Sequence, residues 1–82
     1  MRSREAAEEL NGDDLALHLE RHWSYVRVGQ SGSHIKLRTD EPAGHIATIP
    51  AHKPLKTGTL HRILKSVAAH KGVSVGDLVE GI

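Results

Sequence analysis

The run Ser33-His34-Ile35-Lys36-Leu37-Arg38 alternates polar and apolar residues without a break. An extended strand, whose side chains point to opposite faces at each step, sorts such a run into two sides. His34, Lys36 and Arg38 then share one face, and Ile35 and Leu37 share the other. The apolar face calls for a cover of helices. The other face, an imidazole beside two cations, suits a phosphodiester backbone. The run therefore predicts a sheet with helices on one side and an open, cationic surface on the other.

The neighbouring segments complete that sheet. Tyr25-Val26-Arg27-Val28 also alternates and predicts a strand over 24–29, and Gln30-Ser31-Gly32 reads as the turn that follows. The second strand is expected over 33–39. Asp40-Glu41-Pro42-Ala43-Gly44 is rich in strand breakers. His45-Ile46-Ala47-Thr48-Ile49 gives a third strand, which Pro50 ends. Connections this short favour an antiparallel meander.

Helices flank the strands. Leu15 and Leu19 lie four apart in a segment that predicts a helix over 12–22, with Asn11 as its N-cap. After a linker from Ala51 to Gly58, Leu60, Ile63, Leu64 and Val67 recur at helical spacing and predict a helix from Thr59 to His70. Gly72 is its stop signal. Ser74 followed by Asp77 is a capping pair that predicts a short helix over 75–80. The expected class is α+β: α-β-β-β-α plus a short C-terminal helix, with the helices on one face of a three-stranded antiparallel sheet. Residues 1–10 are expected to be a flexible segment, with Ala6 to Leu10 able to form a loose turn, and residues 11–82 a single domain.

Composition narrows the function classes. At 82 residues the core is modest. With no cysteine, disulfides and thiolate chemistry are excluded. No apolar run is long enough to span a membrane and no segment resembles a signal peptide, so the expected location is the cytoplasm. The net charge of +1 hides an uneven distribution. Residues 34–71 hold seven of the eleven cations (Lys36, Arg38, Lys53, Lys56, Arg62, Lys65 and Lys71) against only Asp40 and Glu41. A basic middle between acidic flanks points to a polyanionic partner, although a solvated lysine-rich surface is the plainer alternative.

His34 is the leading candidate for chemistry. Gly32 and Ser33 permit close backbone approach to it. Imidazole titrates near neutrality and can exchange a proton there. RNA carries its own nucleophile, so cleavage requires only that a base take the ribose hydroxyl's proton while cations steady the phosphoryl charge. Base and acid roles normally call for two groups, and His52 in the linker is the candidate auxiliary. Lys53, Lys56, Thr57 and Thr59 lie at or near a helix start, where free N–H groups favour anions. The alternative is an ordinary cap made by Thr57 or Thr59, with solvated lysines. Tyr25 and Arg27 are expected to share a strand face beside His34, as a stacking surface and a cation, although burial of Tyr25 is an equal alternative. Trp23 reads as a core or hinge residue. None of the other histidines (His18, His22, His45, His61, His70) has a persuasive metal spacing, so no metal and no cofactor are expected.

Three motifs in order, Gly32-Ser33-His34, Ile49-Pro50-x-His52 and Lys56-x-Gly58-Thr59-Leu60-x-x-Ile63-Leu64, resemble the HicA toxin family of YcfA-like mRNA interferases. Asn11-Gly12 ahead of an apolar stripe is similar to the family's opening helix. The resemblance spans about Asn11 to Leu78. It implies a double-stranded-RNA-binding-domain-like fold and a type II toxin that cleaves mRNA, in single-stranded regions, independently of the ribosome. It also implies a HicB-like antitoxin that neutralises the toxin in a hetero-oligomer and makes the main contact with operator DNA. The family's catalytic histidine carries over to His34, and the Pro-x-His position to His52. Backbone geometry is the expected reason for Gly58 and Thr59. Where the family has a glycine–aromatic pair between the first helix and first strand, this chain has His22-Trp23-Ser24-Tyr25, and Trp23 is expected to fill the aromatic's slot. A non-catalytic RNA-binding module using the same face, and a structural domain that binds only an acidic protein, are the competing readings.

Overall fold

The computed structural model describes residues 10–82. The expected flexible segment therefore lies outside the described residues except for Leu10, which is buried and whose carbonyl accepts a hydrogen bond from the Leu55 N–H at 2.9 Å. Helix α1 (Gly12–His22) precedes strands β1 (Val26–Ser31), β2 (His34–Thr39) and β3 (His45–Pro50). Helices α2 (Thr57–Lys71) and α3 (Val75–Val79) follow. The strands form one antiparallel sheet in the order β1-β2-β3. The architecture is the expected α+β layout.

β2 alternates in burial along its whole length, as its sequence demands: Ile35 and Leu37 are inside, while His34, Lys36 and Arg38 are exposed. The buried face packs on Leu15, Ala16 and Leu19 of α1, and on Leu60, Ile63, Leu64 and Val67 of α2. Leu55 and Leu78 close the two ends of this core. Each fully buried leucine or isoleucine contributes about 1.5–3 kcal/mol relative to exposure.

β1 departs from expectation in both position and register. It starts two residues later than predicted, and the turn is Gly32-Ser33, with Gly32 at φ 59°. The pairing Val26 with Arg38 and Arg27 with Leu37 shifts to Gly29 with Lys36, Gln30 with Ile35 and Ser31 with His34. Val28 is the extra residue of a β-bulge. Uninterrupted alternation would have set Val28 opposite Lys36 and Gln30 opposite His34. The bulge sets a glycine and a serine there instead.

The same register corrects the expectation for Tyr25 and Arg27. They share a face, but it is the face covered by helices. Arg27 pairs across from the buried Leu37 and forms an ion pair with Glu20 of α1 at 3.2 Å. Tyr25 is buried just before β1. Ser24 ahead of it has φ 61°, a left-handed conformation that glycine adopts without strain. Tyr25 is thus the aromatic side chain that the core takes in at this junction. Trp23 is only half-buried against the core, and its Nε1 donates to the Leu78 carbonyl at 3.1 Å.

The helix ends show smaller differences. Asn11 occupies the N-cap position of α1, yet its side chain does not cap; its amide reaches Asp14 at 3.4 Å. The Gly12 N–H is satisfied instead by the His52 carbonyl at 3.0 Å. α2 starts two residues before the expected Thr59 and has Lys56 at its N-cap position, so neither Thr57 nor Thr59 caps it. Gly72, at φ 73°, ends α2 as expected. Ser74 caps α3, with its hydroxyl accepting from the Asp77 N–H at 3.0 Å.

Candidate functional site

Strand pairing arranges the open face in three rows, each crossing β1, β2 and β3. Ser31, His34 and Pro50 form the first, Gly29, Lys36 and Thr48 the second, and Val26, Arg38 and Ile46 the third. The middle member of each row comes from the alternating run. Two residues of strand separate successive rows, so they lie roughly 6.5 Å apart.

His34 opens β2 next to the Gly32-Ser33 turn. Its ring is exposed and makes no hydrogen bond to another described residue. Its backbone is held firmly: it pairs with Pro50, and the Ser33 carbonyl beside it accepts the Ala51 N–H at 2.6 Å. Beyond Pro50, α1 comes into backbone contact. A Cβ at Gly12 would lie 1.8 Å from the Pro50 carbonyl oxygen and 2.9 Å from the Ala51 Cα. A glycine is therefore required at the first position of α1, because the helix start rests directly on the strand end opposite His34.

Lys36 is exposed one row away and has no carboxylate partner among the described residues. Arg38, two rows from His34, is engaged by Asp40, whose Oδ1 accepts from Nε at 3.1 Å and from Nη2 at 2.9 Å. Both side chains of this pair are exposed, so it contributes at most about 1 kcal/mol and a phosphate can replace the carboxylate. Val26 and Ile46, on either side of Arg38, are exposed apolar side chains.

The linker leaves the sheet at the His34 end. His52 and Lys53 are exposed there, and Leu55 is buried and anchors the chain before α2. Lys56, Thr57 and Gly58 are exposed at the start of α2, and Thr59 is half-buried. Beyond its own chain neighbours and helix backbone, no heavy atom of the described residues lies within 4 Å of the position a Cβ at Gly58 would take. The expected backbone reason for this glycine is therefore absent.

Three other histidines, His18, His45 and His70, are tied to the fold, whereas His22 and His61 are exposed and make no hydrogen bond to a described residue. The His18 Nε2–H donates to the Leu78 carbonyl at 2.7 Å, and burial holds this imidazole below its ordinary value, against the raising effect of that bond. His45 is bonded at both nitrogens, with the Tyr25 hydroxyl at 2.9 Å from Nδ1 and the Ser66 hydroxyl at 3.3 Å from Nε2. Its ring stacks on His70 at 4.5 Å, and His70 donates to the Ala43 carbonyl at 2.8 Å. Burial, followed by His70 and Lys71, lowers the pKa of His45. Lys71 lies 5.0 Å over the Tyr25 ring and donates to Thr39 at 3.0 Å. Burial pushes the Tyr25 phenol up to about 12. Among the described residues no three His, Cys, Asp or Glu side chains cluster as a metal site would require. No helix among them is long and apolar enough to cross a membrane.

Sequence reasoning found the central strip of the site but missed Gly29, Ser31 and Thr48. The bulge hid the first two. Thr48 was legible as the third-strand residue on the polar side of the alternation.

No curated protein and no solved structure matches the chain. The family model for the HicA toxin of bacterial toxin–antitoxin systems matches residues 12–68, from the glycine at the start of α1 to the last buried turn of α2. The match includes His34, the linker and the packing that holds them, and the chain belongs to the HicA toxin family, whose members are toxins paired with a cognate antitoxin.

Proposed function

We propose that this toxin is a ribosome-independent endoribonuclease that cleaves single-stranded regions of mRNA in the cytoplasm without a metal, with His34 as its general acid/base. The observation that carries the reading is the contrast between His34's ring and its backbone: the imidazole is exposed and has no hydrogen-bond partner among the described residues, whereas the strand beneath it is pinned on both sides. His34 takes the proton of a ribose 2′-hydroxyl. The 2′-oxygen–phosphorus bond forms and the phosphorus–5′-oxygen bond breaks, leaving a 2′,3′-cyclic phosphate and a 5′-hydroxyl. His52 is the auxiliary that returns a proton to the leaving oxygen. Lys36 offsets charge on the phosphoryl oxygens. Arg38, released from Asp40, holds a neighbouring phosphate. Lys53, Lys56, Thr57 and Thr59 extend the phosphate track along the linker and into the start of α2. Arg27 and Tyr25 are no longer part of it, because both lie on the helix-covered side.

A HicB-like antitoxin covers this face in a hetero-oligomer and contacts operator DNA on the toxin's behalf. The row Val26, Arg38 and Ile46, a cation between two exposed apolar side chains, suits a protein partner with an acidic and apolar surface.

The test is incubation of the purified toxin, in a metal chelator, with a single-stranded RNA and with the same sequence as DNA. Cleavage of the RNA alone to cyclic-phosphate ends, and its loss in His34→Ala with RNA binding retained, is the expected result. Intact RNA with wild-type toxin overturns the reading. Binding without cleavage in both proteins would mark a non-catalytic RNA-binding module.

A further inference from the structure

The β1 bulge creates a feature for which the cleavage chemistry alone gives no reason. Beside His34 the open face sinks into a depression of about 260 Å³, lined by Val28, Gly29, Gln30, Ser31, His34, Lys36 and Thr48. Gly29 forms its floor. Apart from its own chain neighbours, no heavy atom of the described residues stands within 4 Å of the place where its Cβ would be, and its φ is not one that demands glycine. Positive φ and crowding do not explain a glycine there; it directly follows the bulge residue Val28, a position where strands often carry glycine, and its bare backbone also lies open in the depression. Such a residue commonly marks a place where a ligand approaches the backbone closely. Drug-sized sites measure roughly 300–1,000 Å³, so this depression admits one ring system and not a dinucleotide.

The surroundings identify the ring. Val28 offers apolar contact on one side and the methylene stem of Lys36 on the other. Ser31 and Thr48 supply hydroxyls that can donate to or accept from a base edge. The Lys36 ammonium, unpaired with any carboxylate among the described residues, borders the depression and can meet a phosphate. We propose that this depression seats the nucleobase of the nucleotide whose 2′-hydroxyl meets His34, with the base lying flat over the Gly29 backbone. Among the described residues the sheet face has no phenyl, phenol or indole ring on which to stack a base, and the bare glycine backbone, walled by Val28 and Lys36, takes that place. The inference rests on the endoribonuclease reading for its substrate and adds the seat that fixes where the strand is cut.

The test is Gly29→Leu, which places a side chain in the depression from a Cβ that no described residue crowds. The probes are two short single-stranded RNAs that share one cleavage site and differ only in an abasic residue on its 5′ side. Wild type is expected to cut the intact RNA about tenfold faster than the abasic one. Gly29→Leu, melting within a few degrees of wild type, is expected to cut both at the slower rate, with the change in KM. Equal rates for the variant and wild type on the intact RNA overturn the proposal, as does an abasic penalty that survives in the variant. A 2′-deoxy substitution at the cleavage site allows binding to be measured separately. If wild type cuts neither RNA but binds the intact one more tightly than the abasic one, and Gly29→Leu abolishes that preference, the endoribonuclease reading fails and the base seat stands.

Discussion

Two histidines begin two neighbouring strands and lie at opposite ends of the same ladder. His45 opens β3 across from Thr39, and His34 opens β2 across from Pro50. His45 is bonded at both nitrogens, stacked on a second imidazole and tied to the end of α2. His34 touches no described partner through its ring. The difference lies in what stands over each end. At the His45 end, the last turn of α2 folds down onto the β2–β3 turn through His70 and Lys71. At the His34 end the contacts are made by backbone, from Gly12 and Ala51, and they hold the strand without reaching the side chain. One end spends its imidazole on holding the fold together, and the other keeps its imidazole available for chemistry.

The largest effect that can break this comparison is His34→Ala. Cleavage of a single-stranded RNA is expected to fall about a hundred- to ten-thousand-fold, the usual range for a proton-transfer group. Stability should stay within about 0.5 kcal/mol, as for a surface substitution. A large loss of stability would mean that His34 is structural after all. Leu37→Ala, on the reverse side of the same strand, should do the opposite and lower the unfolding free energy in urea by about 2–5 kcal/mol. His45→Ala should fall between these, losing about 1–3 kcal/mol because the buried Tyr25 hydroxyl is left without its partner. RNA cleavage by the fraction that remains folded should be unchanged.

Acid sharpens the comparison further. His18 and His45 are both held below their ordinary value of 6.5 in the folded chain, chiefly by burial. The unfolded chain takes up these protons around pH 6.5, the folded chain only at lower pH. Their contribution to stability is therefore complete above the unfolded value and drains away as pH falls through the lowered folded values. Melting temperature followed from about pH 8 to about pH 5 should decline on the acid side, and His45→Gln should flatten the decline. Alkali works in reverse through Tyr25, whose contribution is present below pH 10.0 and lost as pH rises toward its folded value of about 12. The smallest effect is expected from Ser24→Gly, which relieves a left-handed serine and should raise stability by about 0.5–1 kcal/mol in the same urea titration.

Strand β2 shows why much of this was legible in the sequence. Its alternation is uninterrupted, one face is buried, and a slip of one residue would have exposed Ile35 and Leu37, so pattern and fold could not disagree. The stripe Leu60, Ile63, Leu64 and Val67 defined α2 for the same reason. β1 lacked that constraint. All six of its residues are exposed, so burial does not fix its register, and one inserted residue at Val28 redirected everything after it. Of the two alternatives for Tyr25, burial is the one found, and its alternation with Arg27 could not choose between them because it gives no hint of which face is which. The free state of His34 was not legible either, because it depends on what the ends of α1 and α2 reach in three dimensions.

The contact between Gly12 and the Pro50 backbone has a genetic consequence. Every missense change open to a glycine codon by one base adds a Cβ, and a Cβ there collides with the carbonyl of the residue paired with His34. Cells selected to survive this toxin without an antitoxin should therefore yield inactivating alleles at codon 12 alongside those at codon 34, even though Gly12 carries no chemistry of its own.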